Sequence, residues 1–448
     1  MSSAPRPTRR IVTAGLAAAG ATYALWPLPP RGSRPRGRTV LRYWEKWSGR
    51  EGDAVQRVVD RFNASQSRIW VERVPVGEIY AKAMVAIGGG DPPDVVGLFS
   101  WNVPTFADAG ALLPLDEFAP APVGADYAPA IWKLLTHEGR PWAGVNTCYT
   151  LGLYYDRVRC RELGFDPEAG PVDLADLDAL AERGLEIGDS GRVERAGFLA
   201  NLPGWWPYFW PIPFGGTYWD EGARRLTLAE GGSLDGYRWV REQAERLGAA
   251  RTQTFSKGFE RSMLSPADPF LSRKVAAIVQ GPWMANFIDA LAPDLDYGVI
   301  PVPQPVGVGD PARPTGLLEA DVIAIPRGCP HPEEAYEFVA FTQRPDVQAE
   351  LCREHGKSSP MMEVPADFAA QHKNRYVDVH DAIAKSPAVQ VLPEHGAWKN
   401  VSDLTVGAFE RIWMGADPQA ELAQVQRRGQ ELFDDSDERR ARRLALRG

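Results

Sequence analysis

The sequence is poor in cysteine, histidine and methionine, with 4, 6 and 7 among 448 residues. Four cysteines (Cys148, Cys160, Cys329 and Cys352) are too few for a disulfide framework. Pairs 148–160 and 329–352 are conceivable, and spacing leaves the connectivity open. No C-x-x-C and no H-x-x-x-H occurs, so no metal or other cofactor is expected. Nucleophile elbows, zincin motifs and phosphate loops of the G-x-x-x-x-G-K-[ST] type are missing too. Gly88–Asp91 lacks the lysine and follows a helix, so it reads as a helix end and turn. Asp116-Glu117 could in principle serve glycoside hydrolysis. Among 58 acidic residues, however, such pairs arise by chance.

Acidic residues are absent from residues 1–38, which hold seven arginines. Arg9-Arg10 precedes a Gly/Ala-rich apolar stretch and the triplet Ala19-Gly20-Ala21. This pattern reads as an export signal of twin-arginine type. The competing reading is an uncleaved anchor from Ile11 to Leu28, near the shortest length that spans a bilayer. No cysteine precedes Cys148, so a lipoprotein box is excluded. The rest of the chain carries 43 basic against 58 acidic residues, a net of −15. That balance argues against nucleic acid and anionic membrane surfaces as partners.

What is present is strand–helix alternation. Thr39–Trp44, Ile69–Val74 and Val95–Leu98 read as strands. Val55, Val58, Val59 and Phe62 share one helical face, with Asn63 as the stop. Glu78–Ile87 reads as a helix. Val275–Val279 and Asp321–Ile325 are later strands, and Pro332–Phe341 is a later helix. Two helices run from Trp398 to about Phe433, broken at Gly415–Pro418, before a charged solvated end over Asp434–Gly448. The grammar predicts a largely parallel α/β sheet.

Aromatics are the excess, with 15 Trp, 13 Tyr and 17 Phe. Asn201–Trp219 holds eight of these rings, interleaved with Pro203, Pro207, Pro211 and Pro213. Four prolines forbid a regular strand and oppose a continuous helix. Most of these rings are expected in a core, with two or three facing a cleft. Flat apolar faces with polar edges suit sugar rings.

The ordered motifs carry a family resemblance. They begin with Leu41-Arg-Tyr-Trp44-Glu-Lys-Trp47-Ser48-Gly49, Tyr80-Ala-Lys82 and Gly89-Gly-Asp-Pro-Pro-Asp94. Ala109-Gly-Ala-Leu-Leu-Pro-Leu-Asp116, Leu153-Tyr-Tyr-Asp156 and Gly281-Pro-Trp283 follow. Tyr297-Gly-Val-Ile-Pro301, Pro332-Glu-Glu-Ala-Tyr-Glu-Phe338 and Trp398 with Gly415-Ala-Asp-Pro418 complete the set. In order and spacing the chain resembles the extracellular solute-binding proteins of ABC sugar importers, the family that contains the maltodextrin-binding protein.

The resemblance implies a bilobal periplasmic-binding-protein fold, two α/β lobes with a ligand cleft and three hinge crossings. After the segment 1–38, the first lobe would take 39–147 plus 320–357 and the second 148–319 plus 358–448. It implies a monomer, not an enzyme, that closes on a mono- or oligosaccharide and delivers it to permease subunits. A polyamine or glycerophosphodiester ligand is the alternative, as are an anchored sugar sensor and an exported carbohydrate-active enzyme. Carried over position by position, the ligand-binding residues would be Trp47, Ser48, Ser100, Trp101, Asn102, Asn146, Tyr149, Trp205, Trp206, Trp283, Glu319 and Trp398. Tyr149 stands where the maltodextrin-binding protein has a carboxylate, which implies a different sugar specificity.

Overall fold

Apolar alternation in the first strand sets up the first layer. In the computed structural model, which describes residues 36–118, 126–310 and 312–445, β1 (Thr39–Glu45) buries Leu41, Tyr43 and Glu45 on one side. The arginine-rich segment expected to direct export lies outside the described residues through Pro35. Helix α1 (Gly49–Ser65) lays Val55, Val58, Val59 and Phe62 against the sheet. Asn63 does not stop this helix. Its side chain instead clamps Val71, donating to the carbonyl at 2.9 Å and accepting from the amide at 2.8 Å. Then come β2 (Ile69–Pro75), α2 (Ile79–Gly88) and β3 (Val95–Phe99).

Strand β4 (Gly144–Thr150) runs through Leu151 straight into β5 (Gly152–Asp156). Next are β6 (Ala277–Gln280), α3 (Met284–Leu291) and β7 (Tyr297–Ile300). β8 (Gly316–Pro326) is wholly buried, and α4 (Pro332–Thr342) and α5 (Pro345–His355) follow it. The chain ends with β9 (Val389–Gln390), α6 (Trp398–Trp413) and α7 (Pro418–Ala445).

Two main sheets result. The larger has the order β9-β8-β3-β1-β2, with β4 also on β8, and the smaller has the order β6-β5-β7. The expectation of a largely parallel sheet fails. β1 is parallel to β2 and β3, but β8 is antiparallel to both β3 and β4. β5 is antiparallel to both its neighbours. The cause is the path of the chain: β4 leaves the first sheet for the second, and β8 comes back beside it in the opposite direction.

Each sheet has its own core, as a bilobal α/β fold requires. Val59, Leu98, Phe106, Val322 and Phe338 pack around the first. Tyr154, Phe198, Tyr237, Ile278, Phe409 and Trp413 pack around the second. The first core reaches beyond Lys357, because Met361 and Ala384 join it. Pairing of β9 with the start of β8 holds that stretch against the first sheet.

The charged end is also more ordered than expected. Helix α7 continues to Ala445, and some of its charges are paired across the fold: Asp437 takes Arg224 and His395, and Arg440 takes Glu138. All four cysteines are buried and free, so neither conceivable disulfide forms. Among the described residues no helix is long and apolar enough to cross a membrane. None of their His, Cys, Asp and Glu side chains cluster to hold a metal.

Candidate functional site

Loops at the ends of β1 and β3 and at the crossings converge between the two cores. There the aromatic side chains form one band. Trp101 stacks on Tyr80 at 6.3 Å and on Phe99 at 5.7 Å. Phe99 meets Trp47 edge-on at 6.2 Å. On the other side, Tyr149 meets Trp283 edge-on at 5.0 Å, Trp283 meets Trp206 at 5.9 Å, and Trp206 meets Trp205 at 5.4 Å. Gly281 makes room for this arrangement: a Cβ there would lie 2.2 Å from the Trp283 ring. Trp47 and Trp283 each keep a buried indole N–H without a partner.

Lys357 joins the two halves of the band. Its ammonium lies 4.7 Å from the Trp47 ring centre, 5.3 Å from Tyr149 and 5.7 Å from Trp283. It is 1% exposed and donates to Asp321 at 2.5 Å. Lys46 approaches the other Asp321 oxygen at 3.2 Å. Burial alone would raise the Asp321 carboxyl, but the two ammonium groups outweigh it and hold the carboxyl below the usual carboxylate range. Neither lysine was read as part of the site, because lysine ordinarily marks surface.

Glu319 lies beside this ion pair on β8 and is 2% exposed. Tyr149 donates to its Oε2 at 2.9 Å, and Oε1 is buried without a partner. The Trp206 indole lies close enough to favour the charged form, without forming a hydrogen bond that satisfies Oε1. Burial dominates and, with Asp321 nearby, pushes the carboxyl up to about 7. A carboxyl raised in the folded state stabilises it most below the unfolded value near 4.3, and that contribution fades as pH rises through about 7. Glu319→Gln should therefore match the parent chain near pH 4 and exceed its stability at pH 8 by about 3 kcal/mol. Urea unfolding at the two pH values checks this, and an equal stability difference at both would refute it.

Glu319 opens on a narrow cavity lined by Ser100, Trp101, Pro104, Leu134, Leu392, Pro393 and Glu394. Leu392 and Pro393 also line a larger groove between the lobes, with Ala130 and Lys133 on one wall and Tyr218, Trp219 and Glu221 on the other. Glu394 was not expected here. Burial pushes its carboxyl up to about 8, against the opposing pull of Lys133.

The other expected residues differ in their surroundings, with Ser100 on the cavity and Trp205 at the outer end of the band. The Ser100 hydroxyl accepts from the Ala320 amide at 3.1 Å. Asn102 is buried, accepts from the Phe99 amide at 3.1 Å, and leaves its Nδ2 without a partner. Asn146 sits inside the first lobe, donating to the Tyr43 hydroxyl at 3.1 Å. Ser48 is exposed at the start of α1 and forms no side-chain cap. Trp205 is 40% exposed, on a shallow pocket of the second lobe alone. Trp398 is buried in the second core against Tyr218, with ring centres 5.4 Å apart. Asp116 and Glu117 both pair with Arg140, which leaves no free carboxylate pair at that position.

Comparison with known proteins places the chain. Residues 46–349 match the family model described as bacterial extracellular solute-binding protein. The maltotriose-binding protein of Pyrococcus abyssi is 21% identical over 381 residues, 84% of this chain and 77% of that protein. The structure of CpMnBP1 with mannobiose bound superposes with a TM-score of 0.76 at 23% identity, over 88% of this chain and 100% of that one. The maltose/maltodextrin-binding domain MalE of Bdellovibrio bacteriovorus, bound to maltotriose, gives a TM-score of 0.69 at 18% identity, over 88% of this chain and 99% of that one. At these identities the structural likenesses show the fold.

Proposed function

The chain belongs to the bacterial extracellular solute-binding proteins, and on that premise we propose that it is the receptor of an ABC importer. It takes a sugar or oligosaccharide between its lobes and hands it to permease subunits. One observation carries this reading: rings from both lobes and from the crossings form a single band beside a buried, half-satisfied carboxyl. Ring faces stack on the C–H faces of a sugar, and unpaired buried polar atoms take its hydroxyls. Trp47, Ser100, Trp101, Tyr149, Trp206, Trp283 and Glu319 are the contact residues in this reading. Lobes built from 39–147 plus 320–357 and from 148–319 plus the remainder, less the stretch around Met361, Ala384 and β9 that packs on the first core, would close on the ligand by bending at the crossings. The chain would act by binding alone, with no turnover, after export by the twin-arginine route.

A thermal-shift screen of the purified chain against mono- and oligosaccharides, a polyamine and a glycerophosphodiester tests the reading. At least one sugar should raise the melting temperature and change the Trp fluorescence. A shift with the polyamine or phosphodiester and with no sugar would overturn it.

A further inference from the structure

Two buried amides tie the loop of Trp283 to the turn that follows α5. That turn, His355–Lys357, closes a helix of the first lobe and carries the Lys357 ammonium. Gly356 takes a φ of +71° there, and a Cβ would lie 3.2 Å from the Asn286 amide nitrogen, so the turn favours glycine. Asn286, in the first turn of α3 and 6% exposed, donates from Nδ2 to the His355 carbonyl at 3.0 Å. Its Oδ1 has no partner, so the side chain acts here as a donor. Asn374 is fully buried and donates from Nδ2 to the Pro282 and Gly356 carbonyls, each at 3.2 Å. Its Oδ1 accepts from the Tyr376 amide at 2.8 Å, which fixes the orientation of the side chain. The segment around Asn374 is itself held from both lobes. Phe368 and Val377 pack on Ala349 and Cys352 of α5, and the Tyr376 hydroxyl donates to the Tyr297 carbonyl of β7 at 2.6 Å.

We infer that Asn374 and Asn286 are positioning residues for the ligand: they fasten the loop of Trp283 to the turn after α5, and so hold Trp283 in fixed register with Trp47 across the lobes. The inference rests on the sugar-receptor reading and names residues that serve it without touching the sugar. Pro282 directly precedes Trp283, and Asn286 follows it by three residues, so the two ties bracket the ring. The same turn reaches the ring of the first lobe. His355 donates from Nε2 to the Glu51 carbonyl at 3.1 Å and meets Trp47 edge-on at 6.4 Å. Lys357 then places one ammonium 4.7 Å from the Trp47 ring centre and 5.7 Å from that of Trp283. A ring pair held in this way has given up its freedom before a sugar arrives, which removes an ordering cost from binding. Cutting the ties leaves both rings in the chain and restores that cost.

Fluorine NMR of the full chain labelled with 5-fluorotryptophan tests the placement of the ring with no ligand added. The Trp283 signal is assigned with Trp283→Phe, and the signal of Trp398, in the second core, with Trp398→Phe. In Asn374→Ala and in Asn286→Ala the Trp283 signal should broaden or split, while the Trp398 signal keeps its place. Asn286→Ala cuts a single bond, so it stands in if Asn374→Ala does not fold. Calorimetric titration with maltotriose, mannobiose or whichever sugar of the screen shifts the parent chain most should give about tenfold weaker binding in each variant. A sharp Trp283 signal at its parent position in the variants would overturn the inference, and so would unchanged affinity. If the Trp283 and Trp398 signals move together, the amides support the fold at large, which overturns it too. If no sugar binds the parent chain, the receptor reading fails, and the fluorine signals still decide whether the amides hold the ring.

Discussion

Lys357→Met is expected to destabilise the chain by about 3 kcal/mol. Breaking a buried ion pair by removing one partner costs about 3–5 kcal/mol, because the surviving charge stays desolvated. Lys46 remains 3.2 Å from Asp321, which places this variant at the low end. The difference from the parent should shrink in acid, where Asp321 becomes protonated and the parent loses the ion pair too. Asp321 owes its lowered value to Lys357 first and Lys46 second, acting against burial. A carboxyl held low stabilises the fold above its unfolded value near 3.9, and that stability is lost as pH falls through the folded value. Without Lys357 the folded value rises, so Asp321 contributes less of this acid loss in the variant and the gap to the parent narrows as pH falls below about 3.9. Urea unfolding at pH 7 and at pH 3 reads both effects. A loss under about 1 kcal/mol at pH 7 would mean that the three rings and the ammonium are not coupled as the geometry requires.

The second large effect separates two tryptophans that look alike in sequence. Trp283 precedes α3 and Trp398 begins α6. Trp283→Ala should weaken sugar binding about 10- to 100-fold, or about 1.4–2.8 kcal/mol, with a modest change in melting temperature. Trp283 is only partly buried, and its neighbours Tyr149 and Trp206 belong to the same band. Trp398→Ala should instead cost about 3–5 kcal/mol of stability, the usual loss for a large ring cut from a core. Its 2% exposure and its packing on Tyr218 put it there. Parallel titrations and melts of the two variants decide the matter. If Trp398→Ala melts like the parent while Trp283→Ala unfolds, the two roles are reversed.

Those two residues show how far the sequence could be read. A Trp at a helix start is visible from the Gly-Pro-Trp motif or from the apolar pattern. Whether its ring faces a cleft or a core depends on what lies opposite, and Tyr218 is 180 residues away from Trp398 in the chain. Strands β4, β5, β7 and β9 were not read from the pattern, whereas β1, β2, β3, β6 and the second half of β8 were legible as short apolar runs between turn residues. Their directions were not, since β8 runs against β3 and β4 through a path set by the crossings. The aromatic half of the candidate site stood out by composition. Lys357 and Glu394 did not, because local pattern assigns such residues to water. Only the meeting of Trp47, Tyr149, Asp321 and Trp283 encloses Lys357. Helix α7 was legible up to its charged end, where Arg440 and Asp437 find partners too distant in sequence to anticipate.

The crossing strands have a mechanical consequence. β4 and β8 are hydrogen-bonded side by side from Leu318 to Ile323, and Cys148 is bridged to Ser358 on the other edge. Strands laced together in this way form a ribbon that resists stretching and sliding but yields to bending and twist. The two halves would then swing like the covers of a book, with Tyr149 and Glu319 on the spine. Residues on the spine travel least, and the outer pairs Lys133–Glu221 and Arg440–Glu138 travel farthest. An arriving molecule would meet the spine first and at nearly constant geometry. The covers would then shut over it, with the outermost ion pairs the last to form and the first to part.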